Sequence, residues 1–251
     1  MSIGLLPVEW DAPLEVRAAF TLRSGGVSMT PWESLNLGAH VEDAPAAVAE
    51  NRRRVIEALA LPSEPLWLQQ EHGTQVFDAD APGSNAPRAA ARTPADATVT
   101  RATGKVLAIL VADCLPVLFA TLNGEAIGAA HAGWRGLAAG VLEATIAAIG
   151  APAEQLCAWL GPAIGPRHFE VGVEVRAAFV GRDSGAAAGF SANQRGRWQC
   201  DLAWLARRRL QALGVTRVAG GGCCTYAQAA RYYSFRRDGR TGRMAALIWR
   251  A

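Results

Sequence analysis

Two residues suited to metal or nucleophilic chemistry, Cys114 and His131, flank a hairpin signal in the middle of the chain. The apolar runs 117–122 and 125–131 are separated by Asn123-Gly124, a dipeptide that favours a tight β-turn. With a two-residue turn Leu122 faces Glu125, and counting back sets His131 opposite Pro116. Cys114 lies two residues beyond Pro116. Side chains alternate with period 2, so it shares the face of His131 as a diagonal neighbour roughly 7–8 Å away. A metal fits that gap, because Zn–S and Zn–N bonds of about 2.3 and 2.0–2.1 Å leave room for side chains reaching inward. The weak point is Pro116, which has no N–H for a ladder and predicts a bulge or an end to pairing. His72 is the third candidate ligand, but it lies far upstream and joins only through tertiary convergence that spacing does not show. Two neutral imidazoles and a thiolate leave a fourth position open, as in catalytic rather than structural zinc. The same donors form the equatorial set of a copper site. Without a metal, Cys114 and His131 read as nucleophile and base of a cysteine hydrolase; a third reading is a non-catalytic partner protein whose metal is structural. The plain alternative is a core cysteine beside a proline and a satisfied histidine.

The elements that must position these residues are legible in outline. Val16 to Leu22 alternates as a strand, and Gly25-Gly26 and Thr30-Pro31 mark turns after it. A helix is predicted from Pro45, capped by Asp43, with Val48, Val55, Ile56 and Leu59 on one face and Pro62 as its stop. Residues 66–77 read as a strand around His72-Gly73, and 79–94 as a surface loop. Residues 105–112, 117–122 and 125–131 are strands, with others at 156–160, 215–219 and 245–249. Helices are predicted over 137–149, closed by Gly150, and 201–213, closed by Gly214. Strands and helices mix without strict alternation, repeat or linker, which predicts one α+β domain over residues 1–251.

Composition narrows the function classes. The 25 basic and 22 acidic residues are scattered, so no basic stripe points to nucleic acid. No apolar run reaches the roughly 20 residues needed to span a bilayer, since the stretch 106–120 is cut by Asp113 and Pro116. The N-terminus lacks the basic n-region of a signal peptide, so a cytoplasmic location is expected. Five cysteines, an odd number, argue against a disulfide framework and for free thiols.

Three segments go further: Leu68-Gln69-Gln70-Glu71-His72-Gly73, Ala112-Asp113-Cys114-Leu115-Pro116-Val117-Leu118 and His131-Ala132-Gly133-Trp134-Arg135-Gly136. With Ser34-Leu35-Asn36-Leu37-Gly38 and the tail from Ser234 to Ala245, they resemble the YfiH family. This family is also known as the laccase-domain, polyphenol oxidase or purine nucleoside phosphorylase family, and includes peptidoglycan editing factors. The resemblance covers nearly the whole chain. It implies a four-layer αββα sandwich like the catalytic domain of cytotoxic necrotising factor, with zinc held by His72, Cys114 and His131. It further implies phosphorolysis of adenosine, inosine and methylthioadenosine, adenosine deamination, and a copper-dependent oxidation of phenols. Gly220-Gly221-Gly222-Cys223 before Cys224 departs from the pattern and leaves the role of both cysteines open.

Chemistry sorts these activities. A four-copper laccase needs many more imidazoles than the histidines at 40, 72, 131 and 168. The HxE and PCxxC signature of the zinc deaminases is absent, so deamination here is an independent solution. Phosphorolysis needs an anion site, for which Gly133-Trp134-Arg135-Gly136 at the start of a helix is one candidate. The plain reading there is a glycine-shaped turn with Arg135 solvated or paired to Asp113, and a Trp134 that packs in the core. Arg23, Arg236, Arg237 and Asn36 are further substrate-binding candidates. Expected partners are purine nucleosides and phosphate, or peptidoglycan precursors, for a monomer or homodimer.

Overall fold

The alternation read from the strands sorts their side chains into separate cores. In the computed structural model, which describes residues 2–84, 90 and 93–251, β6 (Val106–Val111) and β14 (Met244–Arg250) pair antiparallel. Leu107, Ile109, Val111, Ala246 and Ile248 point to one face, and Val106, Ala108, Leu110, Ala245 and Leu247 to the other. With β1 (Leu5–Pro7), β2 (Val16–Thr21) and β3 (Leu66–Trp67) they form a five-stranded sheet in the order β1-β2-β14-β6-β3.

The second sheet has six strands, in the order β13-β9-β7-β8-β5-β4. These are β4 (Val76–Asp78), β5 (Ala97–Thr100), β7 (Leu115–Thr121), β8 (Ile127–Ala132), β9 (Leu156–Leu160) and β13 (Arg217–Gly220). Leu118, Ala120, Ile127 and Ala129 face the first sheet across the central core, while Leu115, Val117 and Phe119 face outward. Helix α1 (Pro45–Ala58) covers the five-stranded sheet. Helices α2 (Trp134–Ala139), α3 (Val141–Ile149), α4 (Val173–Val180) and α5 (Leu202–Leu213) cover the six-stranded one. A small sheet of β10 (Glu170–Val171), β11 (Phe190–Ala192) and β12 (Trp198–Cys200) joins that outer layer. The result is one α+β domain with helix, sheet, sheet and helix layers, as expected.

The hairpin forms in the predicted register, with Pro116 opposite His131. The turn itself differs from the expected two-residue one: Gly124, at φ 71°, donates its N–H to the Thr121 carbonyl at 2.9 Å, which centres the turn on Leu122-Asn123, and Thr121 rather than Leu122 closes the ladder by donating to the Ala126 carbonyl at 3.0 Å, in the same register. Pro116 does not break the pairing. The His131 N–H points away from β7 to the Asp96 carbonyl at 2.7 Å, so this pair exchanges no backbone hydrogen bond. The nitrogen of Pro116 instead faces β9, whose ladder begins at Val117.

Four expectations need correction. The segment 66–77 is two strands, β3 and β4, in different sheets, with the His72 loop crossing between them. His72 itself has φ 62°, which ends extended structure there. The helix 137–149 is split into α2 and α3 by Gly140, whose φ of 110° no helix accommodates. Asp43 does not cap α1; Ala44 is the N-cap, and the Asp43 carboxylate accepts from Ser28 at 2.6 Å and Asn36 at 2.9 Å. Finally α1 ends at Ala58, before Pro62 is reached. The loop predicted over 79–94 falls in part outside the described residues; its described part begins with turns at 79–84.

Candidate metal centre

The chain crosses between the two sheets at 68–75 and again at 112–114, and each crossing carries one donor. His131, at the end of β8, brings the third. The ligand atoms of His72, Cys114 and His131 all lie within 4.8 Å of one another. Cys114 Sγ is 3.6 Å from His72 Nε2, and the two imidazoles meet edge to face at 4.7 Å between centroids. His131 is buried, Cys114 half-buried and His72 exposed, so the cluster opens on the side of His72.

Asp96, which no sequence motif singled out, assembles this arrangement. Its carboxylate, only 1% exposed, accepts the N–H groups of Glu71, His72 and Gly73 at 3.1, 2.9 and 2.6 Å. The same carboxylate lies 2.8 Å from His131 Nδ1. A donor at Nδ1 leaves Nε2 free to ligate, the arrangement by which outer carboxylates orient metal-bound histidines. The available signal was an acid placed immediately before an apolar run, Ala97-Thr98-Val99, that becomes β5.

Asp113 anchors the second crossing. It has φ 91° and is buried, and its carboxylate accepts from Thr225 at 2.6 Å, Ser234 at 3.0 Å and the Arg236 N–H at 2.7 Å. Arg135 is not among these partners, so the pairing with Asp113, one of the two plain alternatives for that arginine, does not form. That side chain is exposed and lies over the Trp134 ring at 4.5 Å, with no ion pair among the described residues.

Electrostatics favour charge separation between thiol and ring. Burial pushes the Cys114 thiol up, but the neighbouring imidazoles of His131 and His72 outweigh it and bring the pKa down to about 6. Burial pushes His131 down, yet Cys114 and Asp96 raise it to about 9. Two glycines make room for this packing. A Cβ on Gly133 would stand 2.7 Å from His72 Cδ2 and 3.1 Å from Cys114 Sγ, and one on Gly136 would stand 2.8 Å from the Gly73 carbonyl.

The cluster lies on a wall shared by two cavities, both lined more by apolar than by polar surface and told apart by their side chains. The smaller, apolar cavity, of about 130 Å³, gathers the rings of Trp134, Phe169 and Phe235 with Ile164 and Leu202, beside Asp113, Arg135, Arg236, His72 and Cys114. The larger, called polar for its cationic and imidazole groups, of about 440 Å³, is lined by His40, Gln70, Arg135 and Arg243 with all three donors, and by Leu110, Val111, Ala112 and Phe235. Trp134 is thus half-buried against the outer core and also faces the apolar cavity.

The other candidate residues divide between the cavities and the scaffold. Arg236 borders the apolar cavity, donates to the Glu170 carbonyl at 2.9 Å and lies over Phe169. Arg23 borders neither cavity; its guanidinium donates to the Glu33 and Ala229 carbonyls. Arg237 donates to the carbonyls of Thr225, Tyr226 and Tyr232. Asn36 is fully buried and spends its amide on Gly38, Asp43 and the Arg243 N–H. Cys224 accepts the Gly165 N–H at 3.2 Å, while Cys223 is half-buried beside it.

The donor set fits one transition ion, and two nitrogens with one sulfur suit zinc or copper. It does not fit several coppers: of the other two histidines His40 stands at the polar cavity and His168 stacks on Tyr226 at 4.4 Å.

Comparison with known proteins agrees with this architecture. Residues 17–251 match a family model described as multi-copper polyphenol oxidoreductase laccase. A protein of Pseudomonas aeruginosa named purine nucleoside phosphorylase is 54% identical, covering 99% of each chain. Escherichia coli K12 purine nucleoside phosphorylase YfiH is 48% identical, covering 98% of each. Among solved structures, a Neisseria meningitidis protein of the DUF152 family is 45% identical with a TM-score of 0.92, covering 98% of this chain and 99% of that one. YlmD from Geobacillus stearothermophilus is 31% identical with a TM-score of 0.83, covering 94% and 92%. The chain therefore belongs to the laccase-domain family that includes YfiH.

Proposed function

We propose that this chain is a zinc-dependent purine nucleoside phosphorylase, splitting adenosine, inosine and methylthioadenosine with phosphate and deaminating adenosine. The observation that carries this reading is the donor cluster on the wall between a cavity richer in aromatic rings and one richer in cationic and imidazole side chains. A nucleoside has the same duality, a planar base on a polar sugar. The names of the relatives point to the same substrates. His72, Cys114 and His131 would hold the ion, which would supply Lewis acidity.

The chain's own residues do the rest. Trp134 and Phe169 offer ring faces to the base, and Asp96 holds the His131 Nδ1 proton so that Nε2 is kept for ligation. Arg135, without an ion pair among the described residues, presents its guanidinium to both cavities. A single site of this kind lacks the imidazoles of a multi-copper oxidase, so Lewis-acid chemistry of one zinc is the main reading; one copper in the same ligands would support phenol oxidation as a side reaction.

A second reading is favoured by one observation: Cys114, His131 and Asp96 also stand in the order thiolate, imidazole and carboxylate of a cysteine hydrolase. Such an enzyme would act on peptidoglycan precursors without a metal. Purified protein assayed for free purine with each nucleoside plus phosphate separates the two. Turnover should disappear on chelation and return with zinc; turnover indifferent to the chelator would rule out the metal-dependent reading.

A further inference from the structure

The polar cavity has an unbalanced lining. Two arginines and three histidines border it, and no carboxylate of the described residues does. Arg243 is half-buried, spends Nη1 on the carbonyls of Thr241 and Gly242, and has no ion pair among the described residues. Burial disfavours its charge, and the charges that offset this, on Cys114 and Asp113, stand in no ion pair with it, so the guanidinium keeps donors to offer an anion in the cavity. Its position is also built deliberately. Buried Asn36 accepts its backbone N–H at 2.8 Å, and a Cβ on Gly38 would lie 2.7 Å from its Cγ.

The charge continues into the next cavity, which shares His40, Gln70 and Leu110 with the first. There Arg52 lies over the Trp67 ring at 4.2 Å and donates to the Leu37 carbonyl, again without an ion pair among the described residues. The single acid lining that cavity, Glu71, accepts from Gln69 at 2.7 Å. His40 stands between the two arginines, and its imidazole is held below its ordinary pKa by burial and then by Arg243 and Arg52.

We propose that the polar cavity is a phosphate subsite in which Arg243, Arg135 and His40 hold a phosphate group, with Arg52 adding positive charge from the adjoining cavity. This rests on the phosphorylase reading and gives its second substrate a place. A phosphate oxygen forms the bond to C1′ as the bond from C1′ to the purine nitrogen breaks. The bonding pair leaves with the purine, which takes the proton of the hydrogen phosphate. The phosphate is either free or carried on the substrate, since both present the same oxyanion to these groups.

Calorimetric titration of the zinc-loaded protein with inorganic phosphate, inosine and adenosine 5′-monophosphate, each separately, tests the subsite. Arg243→Met should weaken inorganic phosphate at least tenfold while inosine stays within twofold, and Arg243→Lys should recover most of the loss. Arg135→Ala and His40→Ala should each weaken phosphate about three- to tenfold. A loss confined to the monophosphate would identify the substrate-borne source. Phosphate affinity within twofold of wild type in Arg243→Met and Arg135→Ala, with the monophosphate also unaffected, would overturn the subsite. So would a parallel loss of inosine. Arg243-dependent phosphate binding without phosphorolysis would leave the subsite standing and remove the phosphorylase reading; phosphorolysis with an unchanged phosphate KM in Arg243→Met would do the reverse.

Discussion

The two crossings between the sheets deliver their donors by different means. At 68–75 the connection is exposed and hangs on Asp96, a residue of another segment that accepts three of its N–H groups. At 112–114 the anchor is Asp113 itself, buried and reaching outward to Thr225, Ser234 and Arg236. Asp96 therefore ties donor to donor, because it also holds the His131 ring. Asp113 ties a donor to the cavity wall that carries Phe235 and Arg236. The donor cluster and the wall of the adjoining cavity are thus held by separate carboxylates, and can be damaged separately.

The most severe way to break this division is to remove a donor. Cys114→Ala and His131→Ala are each expected to abolish zinc retention, read as metal per chain by elemental analysis; a full equivalent in either would contradict the site. Next, Asp96→Asn should lower zinc affinity about 10- to 100-fold, and more than Asp113→Asn does. Asp113→Asn should instead raise the nucleoside KM more than it lowers zinc affinity, and equal effects on both quantities would erase the contrast. Gly133→Ala, whose Cβ would crowd His72 and Cys114, should weaken zinc about tenfold at a stability cost of about 1–3 kcal/mol, measured by denaturant titration.

A pH profile sharpens the electrostatic half. In chelated protein the Cys114 thiolate exists above pH about 6 and is lost as pH falls through it. Its alkylation rate, followed on the Cys114 peptide by mass spectrometry, should rise through that pH. In His131→Ala the rise should move toward the ordinary thiol pKa of about 8.5. No shift would mean that the imidazole does not stabilise the thiolate. The smallest effect is on the metal-free fold: in chelated protein His72→Ala, at an exposed position, should change stability by no more than about 0.5 kcal/mol.

Period and turn chemistry explain why part of this site was legible from residues alone. Asn123-Gly124 and the alternation around it set the register that faces Pro116 with His131, and residues 156–160 form the strand predicted for them. Asp201 and Gly214 bound α5 as capping rules require. The crossings were not legible, because what ends a strand at His72 is a positive φ together with a carboxylate from residue 96. Neither leaves a periodic trace. Resemblance, not pattern, brought His72 to the other donors. Arg243 and His40 escaped notice for a related reason: a cationic cavity assembled from distant loops has no local spacing.

The three donors come from two crossings and a strand end, so they meet only after the sheets have docked. Ion binding at the proposed site would thereby be linked to the native state, and zinc at 1,000 times its Kd would add about 4.1 kcal/mol of stability if the unfolded chain does not bind it. The midpoint of thermal unfolding then becomes a gauge of metal supply. A chain made under zinc limitation should melt earlier, with its secondary structure intact beforehand.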